Sequence, residues 1–148
     1  DHASSLCATS PVLRGGQAAY GRGVSMIYRI GKTIRWEASH RLEGLSEGHP
    51  CGRMHGHSYE AEIVLTSESL DDTGFVLDYG VLGAIRNKLD HQHLNDIMPG
   101  NPTAERLAVF IATLVNDALF KMGYDTEGVR VESVLVKETA SSWAMVSF

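Results

Sequence analysis

The sequence has only two cysteines, Cys7 and Cys51, in unrelated contexts, too few to staple a chain of 148 residues into shape. A free thiol in a reducing cytoplasm is the simpler reading, and stability must come from a packed core, for which 43% hydrophobic residues suffice. No apolar run approaches the roughly 20 residues of a bilayer-spanning helix, so no membrane role is expected. Positive charge is scarce as well. Against 18 Asp and Glu stand 13 Lys and Arg, and the net charge of −5 argues against a nucleic-acid surface. Residues 1–25, rich in Gly, Ser and Ala, lack the apolar segment of a secretory signal. They read as a disordered extension or an upstream start, with Met26 a candidate initiator and residues 26–148 a single domain. No internal repeat is visible, and a small molecule is the favoured partner.

What the sequence does contain is alternation. Between Ile27 and His40 the even positions Tyr28, Ile30, Ile34, Trp36, Ala38 and His40 form a largely apolar face, broken by Lys32, as in a half-buried strand. Tyr59, Ala61, Ile63 and Leu65 repeat the pattern after the stretch Cys51-Gly52-Arg53-Met54-His55-Gly56-His57, and the two histidines continue that face. The Gly-containing loop 41–53 joins the two strands as a wide antiparallel pair. Gly74-Phe75-Val76-Leu77 is a further short strand candidate. Asp78 caps a helix carrying Val81, Leu82, Ile85 and Leu89, which ends near Asp90 to Asn95. Asn101-Pro102-Thr103 opens a second helix, with Asn101 as its cap, an apolar stripe from Leu107 to Met122, and Gly123 as its stop. Val129 to Glu138 carries apolar residues on both faces and reads as a strand covered twice, with Trp143 to Phe148 as the last strand. The order β-β-β-α-α-β-β predicts an α+β fold with an antiparallel sheet and helices on one face.

Residues i and i+2 of a strand point the same way, so His55 and His57 can converge on one ion. His40, on the apolar face at the end of the neighbouring strand, reaches the same sheet edge. Three imidazoles with an open fourth position suit Zn²⁺. The competing reading, three ordinary surface or core histidines, is weakened by their sharing one face at one edge. Cys51 is either a fourth ligand closing a structural site or a thiolate held near the metal for chemistry; its loop setting disfavours a third role as a small buried hydrophobe. Asp90 and His91 are either helix-end charges or a carboxylate orienting an imidazole for proton transfer. The second role requires the helix to break there, because adjacent helical residues do not face each other. His93 is a lesser candidate for the same part. Glu138 is costly to bury ionised unless it meets paired N–H donors, and on residues alone it reads as an edge carboxylate.

Six motifs in order, spanning Tyr28 to Phe148, make the chain resemble a known family. They are Ala38-Ser39-His40-Arg41-Leu42, Cys51-x₃-His55-Gly56-His57-x-Tyr59, Gly74-Phe75-Val76-Leu77-Asp78-Tyr79, Leu89-Asp90-His91-x-His93-Leu94-Asn95, Asn101-Pro102-Thr103-Ala104-Glu105 and Lys137-Glu138-Thr139. Together they resemble the 6-pyruvoyltetrahydropterin synthase and 6-carboxytetrahydropterin synthase family. The resemblance implies a tunnelling fold: a four-stranded antiparallel sheet with two helices on one side, assembled as homo-trimers or hexamers with active sites at subunit interfaces. It implies that His40, His55 and His57 bind catalytic zinc, that Cys51 is the base, and that Asp90 and His91 are its proton-transfer partners. Glu138 would anchor the pterin's amino and ring N–H groups, with Thr103 and Glu105 assisting.

The implied substrate is 7,8-dihydroneopterin triphosphate. One branch of the family eliminates triphosphate to give 6-pyruvoyltetrahydropterin; the other releases acetaldehyde and makes 6-carboxytetrahydropterin on the way to queuosine. The ten residues between His40 and Cys51 form a compact loop that looks more like the second branch. A reading from another class is a non-catalytic zinc-stabilised binding module with Cys51 completing the coordination, which leaves Asp90, His91 and Glu138 without a role.

Overall fold

The computed structural model describes residues 25–124 and 128–148; residues 1–24 of the expected extension, with Cys7, lie outside the described residues. Its elements in chain order are β1 (Tyr28–His40), β2 (His55–Ser67), α1 (Tyr79–Ile85), β3 (Gln92–His93), α2 (Leu94–Ile97), α3 (Ala104–Met122), β4 (Arg130–Lys137) and β5 (Trp143–Ser147). Single 3₁₀ turns lie at Pro50–Gly52 and Arg86–Lys88. The sheet order is β3-β1-β2-β4-β5, antiparallel except for the parallel pairing of β3 with β1. This is the expected α+β architecture, with a fifth, two-residue strand added at the edge of four longer ones. Among the described residues no helix is long and apolar enough to cross a membrane.

Alternation puts Ile34, Trp36 and Ala38 of β1 and Tyr59, Ala61, Ile63 and Leu65 of β2 on one buried face. Leu107, Ile111, Val115 and Leu119 of α3 and Leu82 and Ile85 of α1 belong to the same core. Each such fully buried aliphatic side chain contributes about 1.5–3 kcal/mol. Thr103, whose hydroxyl accepts from the Arg106 N–H, caps α3, and Gly123 stops it in the left-handed region at φ 80°. The cap is therefore Thr103 and not Asn101, whose side chain is bonded to Glu43 instead.

Three further expectations need correction. Residues 74–77 are bent, irregular backbone and not a strand, because the Asp71 carboxylate accepts from the N–H groups of Thr73 and Phe75 and folds the chain back on itself just before them. The helix after Asp78 is α-helical only to Ile85 and tightens to a 3₁₀ turn at Arg86–Lys88. The strand from Val129 is not covered on both sides. Its register with β2 slips between Val64 and Leu65, so that Ser133 pairs with Val64 and Val131 with Leu65, leaving Glu132 without a partner position. The bulge resets the period of two and turns Val131, Val134 and Val136 all toward the core.

On the outer face Arg35, Glu60 and Lys137 stand side by side across β1, β2 and β4. Glu60 meets Arg35 at 2.6 Å and Lys137 at 2.8 Å. Hydrogen bonds from Lys137 and then Arg35 hold its carboxyl below the ordinary value of 4.5. The stability this provides is present above that value and lost as pH falls through the lowered folded pKa. Because Arg35 is largely exposed, Glu60→Gln is expected to cost only about 0.5–1 kcal/mol at neutral pH. Urea unfolding should show the difference from the unaltered protein shrinking in acid; a difference independent of pH would contradict the assignment.

Candidate metal centre and active site

Full-length pairing of β1 with β2 sets His40 directly opposite His55, and the strand period adds His57 on the same face. One nitrogen from each of the three rings lies within 4.8 Å of the others. Gly56 lets the strands close between the two histidines, since a Cβ there would press to 3.2 Å on the Ala38 carbonyl. His40 is buried and His55 and His57 are half-buried.

The outer nitrogens of two rings are fixed by backbone. His40 Nδ1 bonds the Pro102 carbonyl at 2.8 Å, and His55 Nδ1 bonds the Arg53 carbonyl at 2.8 Å. A carbonyl can only accept, so each Nδ1 carries the proton and each Nε2 presents a lone pair. Those two Nε2 atoms face each other at 3.0 Å. Two lone pairs at that distance repel unless a proton or a metal ion is shared between them, and a backbone carbonyl on the far nitrogen is the usual orienting partner of a metal-bound histidine. Burial lowers the His57 pKa, the neighbouring His40 and His55 lower it further, and Glu138 opposes them. The donor set fits a metal ion.

The break required between Asp90 and His91 is present. After the 3₁₀ turn, His91 takes φ 59°, uncommon outside glycine, and its N–H is held by the Glu37 carbonyl at 2.7 Å. That bend lets neighbouring side chains meet, with Asp90 Oδ1 3.2 Å from His91 Nδ1. The same oxygen accepts from the Glu37 N–H, and Oδ2 pairs with Arg86. The Glu37 N–H first, with Arg86 and His91 behind it, holds the Asp90 carboxyl below its ordinary range. β3 then docks along β1, and Ser39 Oγ contacts His93 Nδ1 at 3.1 Å.

An open groove of about 570 Å³ runs over this edge, lined among others by Glu37, Ser39, His57, Ser58, His91 and His93. His91 lines it together with Glu37, Ser39 and Ser58, whose parity on β1 and β2 is opposite to that of the histidine cluster, and of that cluster His57 alone borders the groove. Burial first, and the charge of Glu138 second, push the Tyr59 hydroxyl up, and the same carboxylate opposes the lowering at His57. Cys51 lies half-buried on the 3₁₀ turn and is not a member of the histidine cluster. The Thr103 hydroxyl is used as a helix cap, and Glu105 is exposed in the first turn of α3. Arg53 and Pro102 escape sequence reasoning because they act through carbonyls, which every residue has. Arg86 had a signal, its i,i+4 spacing from Asp90.

The family profile described as 6-pyruvoyl tetrahydropterin synthase matches residues 29–147. A 6-carboxy-5,6,7,8-tetrahydropterin synthase from Synechocystis is 36% identical over 99 residues, covering 60% of this chain and 75% of that protein. One from Aquifex aeolicus is 30% identical over 158 aligned positions, covering 80% of this chain and 97% of that protein. The solved 6-pyruvoyl tetrahydropterin synthase of Caenorhabditis elegans superposes with a TM-score of 0.66 at 20% identity, covering 83% of this chain and 96% of the other. On the match of the profile to most of the chain and of the Aquifex relative nearly end to end, the protein belongs to the 6-pyruvoyl tetrahydropterin synthase family.

Proposed function

We propose that the protein is a zinc-dependent lyase that converts 7,8-dihydroneopterin triphosphate and one water to 6-carboxy-5,6,7,8-tetrahydropterin, with release of acetaldehyde and triphosphate. The observation that carries the reading is the convergence of three histidine nitrogens at the end of β1 and β2, the region of β1 on which an aspartate-braced histidine also docks. The names of the Synechocystis and Aquifex relatives support the carboxylated product.

His40, His55 and His57 would hold the ion. Zinc at that position supplies Lewis-acid polarisation of the substrate's hydroxylated side chain, acidifying its protons. Cys51 removes a proton as thiolate. His91 delivers one, its ring held by Asp90, which is itself pinned by Arg86 and the Glu37 N–H. Glu138 accepts from the pterin's amino and ring N–H groups, with Thr103 and Glu105 assisting. Cys51 outside the histidine cluster favours this reading over a closed structural site.

Assembly as a homo-trimer or hexamer belongs to the same proposal. On the edge strand β5, Trp143 and Met145 are exposed while the alternate residues Ala144 and Val146 pack on the core, which leaves an apolar edge suited to a second copy. Incubation of the zinc-supplied protein with 7,8-dihydroneopterin triphosphate should yield acetaldehyde and the 6-carboxylated product, from a species that sediments as a trimer or hexamer. Triphosphate without acetaldehyde would place the protein in the pyruvoyl-forming branch, and no turnover at all would defeat the enzymatic reading.

A further inference from the structure

Two asparagines each grip one residue of the chain that leaves β1. Asn95 accepts from the Arg41 N–H at 3.0 Å and donates to the Arg41 carbonyl at 2.9 Å. Asn101 does the same to Glu43, at 2.7 and 2.8 Å. Arg41 and Glu43 are two residues apart and offer their polar groups to one side, as a strand does, so the two side-chain amides prolong the hydrogen bonding of β1 after its own partner strands have diverged. The Pro102 carbonyl meets His40 Nδ1 next to them. Residues 95–102 are thus fastened to residues 40–43 by contacts at Asn95, Asn101 and Pro102. Gly100 leads into the second clamp at φ 71°, a backbone conformation that residues with a Cβ rarely adopt.

We infer that Asn95 and Asn101 are positioning residues for the His40 imidazole. By fixing residues 95–102 against the end of β1, they hold the Pro102 carbonyl on Nδ1 and so decide that Nε2 is the nitrogen turned toward His55. Without the clamps the carbonyl can withdraw, and His40 is free to take the other tautomer or turn its ring. This rests on the reading of His40 as a zinc ligand.

The test is zinc affinity by chelator competition, together with amide hydrogen exchange with and without zinc. Asn95→Ala and Asn101→Ala should each bind zinc about 10–100-fold more weakly, as expected for loss of a group that orients a ligand. Asn87→Ala, on the exposed 3₁₀ turn Arg86–Lys88, should bind as the unaltered protein does. Zinc should slow exchange of the Arg41 and Glu43 amides in the unaltered protein, and Asn101→Ala should lose that response at Glu43. A folded Asn101→Ala protein with unaltered zinc affinity overturns the inference. So does an unaltered protein whose Arg41 and Glu43 amides ignore zinc, a result that does not depend on any variant folding. An unaltered protein that binds no zinc removes the metal reading itself, which the first measurement distinguishes from failure of the clamps alone.

Discussion

His55→Ala should weaken zinc binding by roughly 10²–10³-fold and abolish turnover of the pterin triphosphate. The magnitude follows from dividing the about 10–16 kcal/mol of a four-ligand zinc site among its ligands, which leaves about 2.5–4 kcal/mol for one, at about 1.4 kcal/mol per tenfold. His55 is a cleaner choice than His40. The His40 ring is 2% exposed and bonded to the Pro102 carbonyl, so its removal opens a buried hole and orphans an acceptor. His55 is half-buried, and its loss frees only the Arg53 carbonyl beside an exposed loop. Zinc content after dialysis, with metal-free thermal unfolding as a control, checks the prediction. A variant that unfolds like the parent yet keeps a full equivalent of tightly held zinc would show that His55 is not a ligand.

The histidine cluster was legible because it depends on parity. A period of two puts His55 and His57 on the face of Tyr59, and the even positions of β1 put His40 on the same face. The sequence puts them at one sheet edge, and the structure adds the register, with His40 opposite His55. Parity also explains the failure in β4. One extra residue at Glu132 inverts the alternation, so Val131 and Val134 look like opposite faces in the sequence and share one in the fold. Asp90 and His91 were legible only as a conditional. The sequence shows that they need a break, while the break itself rests on His91 at positive φ and on the Glu37 carbonyl, a contact between residues 54 apart. The 74–77 segment misled because a short apolar run looks like a strand although only Val76 and Leu77 are buried and Phe75 is exposed, and the deciding group, the Asp71 carboxylate, precedes them. Carbonyl partners such as Pro102 leave no trace in residue type, and a pterin substrate comes from the family resemblance and not from any spacing.

Cys51→Ala should lower kcat by about 10²–10⁴-fold, the range for loss of one proton-transfer group, while zinc content stays at that of the parent. The two roles open to Cys51 predict opposite metal behaviour. As a fourth ligand, its loss would cost zinc as His55→Ala does; as a base, its loss would leave the metal and stop the chemistry. The structure favours the second, since the three histidine nitrogens form a group to which Cys51 does not belong. Its backbone is nevertheless tethered to the site. The Cys51 carbonyl accepts from the Leu42 N–H at 2.8 Å, two residues beyond His40, and the Cys51 N–H donates to His49 Nδ1 at 3.1 Å. These bonds involve the main chain of Cys51 and survive its replacement by alanine, so the loop keeps its course and the loss is confined to the sulfur. Cys51→Ser separates the roles further, because a hydroxyl fills the same space but ionises far too weakly to act as a base near neutral pH. Both variants should therefore retain zinc and lose turnover to a similar degree. Zinc-depleted but folded Cys51 variants would restore the closed structural site and with it the reading of this chain as a binding module.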